Sequence, residues 1–317
     1  MTAANKLLIL GASGFIGSRL MQAWPAGECV GTYLHRPIAN GVRFDIATER
    51  LSERLLLRGH GFTHAVLAQG VTKLDQCALS PELSNAANVR GPLRAIADLL
   101  DAGVHPIFLS SDAVFDGKSG PRSEAEEPCP ILEYGRQKVA VEAYLRSQNS
   151  SWTILRLCKV VAGFTDERNM LAAWLGKAVR GEPILCATDQ ILTPVDIDDV
   201  VRAVTFFANT GTSGLFHVAG SQSITRHALL LELLKHVPDE QRERANIQTC
   251  RLAEICSPEP LPVNCGLQND KLRATLDWEP VTMANVCRNL CQNVFSEAAT
   301  FDRQKNVLIG VARARAL

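Results

Sequence analysis

The chain of 317 residues balances 33 Lys plus Arg against 33 Asp plus Glu, which leaves no field of one sign to draw it to nucleic acid or to an anionic membrane. No run approaches the roughly 18 uninterrupted apolar residues of a membrane span, and the first apolar run is cut short at Gly11, so neither a span nor a signal peptide is read and a cytoplasmic protein is expected. Ten cysteines lie scattered without a CxxC pair and seven histidines show no ligand spacing, so no disulfide framework and no metal site is expected.

A chain of this length can bury one large or two modest cores. Leu7 to Leu10 reads as a short buried strand, and GASGFIG follows it directly. Gly11, Gly14 and Gly17 would then serve a tight turn, a close phosphate approach and helix-on-strand packing. Ser13, Phe15 and Ile16 would present backbone N–H groups at the positive end of a helix over Phe15 to about Ala23. Glu28 to Leu34 reads as the second strand. His35 and Arg36 stand at its end, where a dinucleotide fold meets the adenosine ribose. A guanidinium there suits a 2′-phosphate, which favours NADP and leaves NAD open; a solvated loop Arg before Pro37 is the competing reading. Phe44, Asp45 and Ile46 read as a short third strand reaching the adenine edge, or else Asp45 caps a helix over Glu49 to Leu57.

Thr63 to Ala68 reads as a fourth strand, and Ala68, Gln69 and Gly70 at its end would let the backbone close on a cofactor, with Val71 next towards a substrate. A long helix over Pro81 to Leu100 and a fifth strand over His105 to Ser110 continue the alternation. That pace predicts an α/β fold with a doubly wound parallel sheet. Ser110 and Ser111 fall at the sheet edge where such folds bind ligands, Ser110 as a satisfied turn residue. The loop from Asp112 to Pro130 is long enough to border a site. In the next helix, Tyr134 and Lys138 share a face one turn apart, and a neighbouring cation would lower the phenol from its usual pKa of about 10.

A Gly-rich turn, a hydroxyl at the end of the fifth strand and Tyr-x3-Lys, in that order, resemble the short-chain dehydrogenase/reductases of extended type. SSDAVFDG and EYGRQK are similar to the STDYVFDG and YGRTK words of the dTDP-4-dehydrorhamnose reductase family. LAQGVT, WTILR, TPVDIDDVVRAV, GLFHVAGSQSITR and NCGLQNDKLRATLDW carry the resemblance to about Asn293. It implies that Ser111 bonds the substrate carbonyl, that Tyr134 donates the proton and that Lys138 holds the nicotinamide ribose and tunes Tyr134. It further implies NADP as the cofactor, a nucleotide-linked 4-keto sugar as the substrate, and a homodimer. A sugar-nucleotide epimerase or dehydratase, or a non-catalytic NADP-binding regulatory subunit, are the alternative readings. Three positions depart from the family: Lys159 stands where a pocket Trp is expected, Leu261 replaces an Arg, and Ala113 replaces a Tyr. Lys159 and Arg226 become candidate substrate contacts.

Beyond about Val160 the pattern turns to helices, over Arg168 to Val179, Asp196 to Ala208, Thr225 to His236 and Met283 to Phe295, with Asp196 or Asp198 as a cap and Cys287 and Cys291 as adjacent buried thiols. The expected division is a Rossmann domain over 1–160 rejoined by 190–220, a smaller, mainly helical substrate lobe over 161–189 and 221–296, and an extension over 297–317 that could add a strand or an oligomer contact.

Overall fold

A computed structural model describes residues 6–296; the predicted extension 297–317 lies outside the described residues. Six strands follow one another in the first half: β1 (Lys6–Leu10), β2 (Cys29–Tyr33), β3 (Val42–Arg43), β4 (Phe62–Leu67), β5 (His105–Ser111) and β6 (Thr153–Leu157). With the late strand Gly214–Val218 they form one parallel sheet, in the order Gly214–Val218, β6, β5, β4, β1, β2, β3. The reversal of order between β1 and β4 opens the crevice in which doubly wound sheets hold ligands.

Both faces of this sheet are covered, which is why its strands read as continuous apolar runs. Leu7 and Ile9 point to one side, with Val66, Ile107, Leu109 and Leu155, and meet Val200, Val204 and Phe207 of the helix Ile197–Thr210. Leu8 and Leu10 point to the other, with Leu67, Phe108 and Ile154. There they meet Ile96 and Leu99 of the helix Gly91–Asp101 and Val141 and Leu145 of the helix Glu133–Arg146. A separate core gathers Leu171, Trp174 and Leu175 from the helix Met170–Arg180, Leu229, Leu230 and Leu233 from the helix Arg226–Leu234, and Val286, Cys287, Leu290 and Cys291 from a helix over 283–296. Short strands cross this part of the chain: Pro183–Ala187 pairs with Asn246–Cys250, and Ile191–Leu192 lies between Ile224–Thr225 and Asn264–Cys265. No helix of the described residues is long and apolar enough to cross a membrane.

Four local expectations are corrected. The third strand is Val42–Arg43, one step before Phe44 to Ile46. Past it, the Phe44 N–H still donates to Tyr33 O, the Asp45 N–H donates to Glu49 Oε2, and Phe44 and Ile46 bury their side chains in the core. The helix expected over Glu49 to Leu57 shrinks to Leu51–Arg54. The long helix expected over Pro81 to Leu100 forms, with a π-helical segment at Ala86–Arg90. Pro92 has no N–H to return to the carbonyl four residues back, so the hydrogen-bond ladder slips a residue at that point. Finally, Asp196 occupies the N-cap position of its helix without a side-chain cap bond, and Asp198 pairs instead with Arg19.

Candidate active site

Strand β1 ends in the Gly-rich turn as expected, and the turn is crowded enough to demand its glycines. Gly11 has φ +86°, and a Cβ on Gly17 would stand 2.2 Å from Gly11 O and 2.8 Å from Ala12 Cα. Gly14 is the N-cap of the helix Phe15–Ala23 and brings no side-chain acceptor, which leaves the first-turn N–H groups for a ligand. Beside the turn, both polar atoms of the Gln69 amide are buried without a partner. An open helix end, close-packed glycines and an orphaned amide fit a dinucleotide pyrophosphate. Gly17→Ala is therefore expected to cost about 1–3 kcal/mol through overpacking against backbone that cannot swing aside. Melting curves with and without NADPH would show it as a lower Tm and a lost upshift on cofactor addition.

At the far end of β2, His35 and Arg36 are exposed, and Arg36 Nη2 lies 2.5 Å from Glu167 Oε1. Asp45 Oδ1 accepts from the Ala47 N–H, closing a turn, and Ile46 belongs to the core. Val71 is not at the cleft: both its N–H and its carbonyl are taken by the buried Asn88 side chain, which also donates to Gln137 Oε1. That clamp fixes the Gln69-Gly70 corner from the helix behind it.

A cleft of about 570 Å3 opens above the sheet's carboxyl edge. Gly14, Phe15, Ile16, Ala68 and Gly70 form the side next to the Gly-rich turn; Ser111, Tyr134, Lys159 and Arg226 also line it. Residues separated by more than two hundred positions are thus brought to one wall. Ser111 Oγ donates to Asp112 Oδ1 at 2.8 Å and accepts from the Ala113 N–H. The helix bearing Tyr134 approaches this strand end closely because Gly135 is bare: a Cβ there would stand 2.0 Å from Ala113 O. Lys138 Nζ lies 5.5 Å from the Tyr134 ring centroid, 4.6 Å from that of Phe108, and donates to Leu109 O at 2.8 Å.

The expected lowering of the Tyr134 pKa does not occur in this arrangement. Loss of water around the phenol, reinforced by the Asp112 carboxylate, pushes it well above its ordinary value. Burial also brings Lys138 down to about 8 against the opposing pull of Glu142, and raises Asp112 to about 6. A phenol held neutral in this way is a proton donor. Ser110 is satisfied, as expected, but inside β5 and not in a turn. It donates to Glu142 Oε1, whose carboxylate is paired with Arg156 Nη2 at 2.7 Å.

Three contributors escape the sequence reading. Asp112 follows Ser111 and holds its hydroxyl. Arg168 donates from Nη1 to Ser13 O at 2.9 Å and pairs with Asp166, tying the later part of the chain to the Gly-rich turn. Gln190 Oε1 accepts from Arg226 Nη1 at 3.1 Å and so orients that guanidinium. Only Asp112 could have been found, as the acid adjoining a strand-end hydroxyl.

The RmlD substrate binding domain family matches residues 5–294. The chain is 33% identical over 184 residues to the probable low-salt glycan biosynthesis reductase Agl14 of Haloferax volcanii; the match covers 56% of this chain and spans about 60% of that relative's length. It is 29% identical over 225 residues to a dTDP-4-dehydrorhamnose reductase of Sinorhizobium fredii, covering 67% of this chain and 75% of the other. The solved dTDP-4-dehydrorhamnose reductase of Bacillus anthracis, in complex with NADP, shares the fold at TM-score 0.78 and 19% identity, over 91% of this chain and 99% of that one.

Proposed function

Because the chain belongs to the RmlD substrate binding domain family of reductases, we propose that it is an NADP-dependent reductase of a nucleotide-linked 4-keto sugar. The observation that carries this reading is the meeting of Ser111 and Tyr134 on one cleft wall, with Lys138 beneath the phenol. NADPH, when bound along the Gly11 to Gly17 turn, supplies the hydride to the keto carbon. Ser111, released from Asp112, turns its hydroxyl to the keto oxygen and holds the carbonyl in place. Tyr134, kept protonated by its surroundings, gives its proton to that oxygen as negative charge develops there. Lys138 steadies the phenol and the ribose beside it. The cofactor lobe in this reading comprises 1–160 with 190–220, and 161–189 with 221–296 close over the sugar.

NADPH oxidation, followed by absorbance with a panel of nucleotide-linked 4-keto sugars, 6-deoxy and carboxylated alike, tests the proposal. Turnover with one of them supports it; tight NADPH binding with none reduced sinks it. Arg36 carries the cofactor preference in this reading, through a charge-assisted bond to the 2′-phosphate in place of its exposed pair with Glu167. Arg36→Gln is expected to narrow the NADPH-over-NADH preference about tenfold, read as the ratio of kcat/KM for the two cofactors.

A further inference from the structure

Three cations line the cleft against one carboxylate. Arg168 is accounted for by Asp166 and the Ser13 carbonyl. Lys159 and Arg226 have no ion-pair partner among the described residues, and Asp112 is the sole acid on the wall. Lys159 stands two residues beyond the end of β6, exposed in the cleft, and the charge of Asp112 reaches it. Loss of water and the like charge of Arg226 together hold its ammonium below the ordinary lysine range.

Arg226 is placed at a cost. It is the first residue of a nine-residue helix, where the macrodipole is positive and a cation is disfavoured. Its guanidinium is held over the Trp174 ring at 5.6 Å and by Gln190 Oε1, yet its buried Nε has no partner. Lys159 is exposed in the cleft and Arg226 half-buried, and an anion between them would answer both charges and the unpaired Nε.

Resting on the reductase reading above, we propose that the substrate brings a carboxylate on the sugar ring itself, bound between Lys159 and Arg226. The ring is favoured over the nucleotide diphosphate because Lys159 and Arg226 line the same cleft as Ser111 and Tyr134, the groups assigned to the keto oxygen. An ammonium cannot offer the stacking face of an aromatic side chain, but it answers a carboxylate directly.

The test needs no turnover. Calorimetric titration of the full chain with UDP-glucuronate, UDP-glucose and UDP, and with the matching dTDP series, should show the uronate binding about tenfold or more tightly than the neutral sugar. Lys159→Met and Arg226→Gln should each abolish that preference while leaving the neutral ligand's affinity in place, and Lys159→Trp should reverse it. Equal binding of uronate and neutral sugar, with both and the free nucleotide weakened together by the variants, would assign the cations to the diphosphate and overturn the proposal. Absence of any binding in either series overturns it as well. NADPH titrated by fluorescence in the same samples keeps the two readings apart: failure to bind NADPH refutes the reductase, whatever the sugar preference.

Discussion

Tyr134→Phe is expected to lower kcat by about 10^2- to 10^4-fold, the range over which a positioned proton donor contributes. The substitution removes one oxygen from a ring that stays packed over Lys138 and beside the cleft, so the fold and the NADPH affinity should both survive. Steady-state kinetics beside a melting curve separate the cases. A large fall in kcat with an unchanged Tm assigns the proton to Tyr134. Retained turnover would mean that another group supplies it, with Asp112, raised to about 6 and bonded to Ser111, the nearest candidate. A fall in KM alongside kcat would instead indicate that the hydroxyl strained the bound substrate.

Breaking the pair beneath the site should cost as much stability as truncating a large core side chain of the sheet. Arg156 is fully buried on β6, and Glu142, 1% exposed on the helix Glu133–Arg146, meets it through bonds of 2.7, 3.0 and 3.2 Å while accepting from Ser110. Glu142→Leu leaves a guanidinium buried without its counter-charge, a loss of about 3–5 kcal/mol. Urea unfolding should register that as a lower midpoint at an unchanged slope. Replacing both partners, Glu142→Leu with Arg156→Met, is expected to recover most of the loss, since well-packed apolar residues often serve as well as a buried ion pair. If the double variant is no more stable than the single, the pair is holding the helix against the sheet through geometry that neither side chain's volume can replace.

Much of this architecture was legible because it follows from local rules. Leu7 to Leu10 reads as a strand covered on both faces because nothing in it is polar, and the covering helices lie where that run implies. Glycine at 11 and 17 announced the tight turn, since only a missing Cβ tolerates the backbone contacts found there. The Tyr134 and Lys138 face followed from helical spacing, but the sense of the pKa change did not. Spacing reports that a cation is near, while the extent of dehydration and the presence of Asp112 depend on chain folded in from elsewhere. The same limit hid Arg168 and Gln190, whose contacts with Ser13 and Arg226 join distant parts of the chain. It also hid the slip in the long helix, where a single proline displaced a ladder that the apolar periodicity alone would have continued.

The late strand Gly214–Val218 is the outermost member of the sheet, and it lies directly on β6. While the chain is being synthesised, β6 emerges long before that neighbour, so Ile154 and Leu155 stand on a bare edge with unsatisfied N–H and C=O groups, able to recruit a strand from another molecule. Arg156 meanwhile lacks the His217 ring that later closes over it. Leu261, Pro262 and Cys265 of the cleft wall leave the ribosome later still. Until those later segments are made, the sheet lacks its outermost strand and the pocket lacks three of its lining residues.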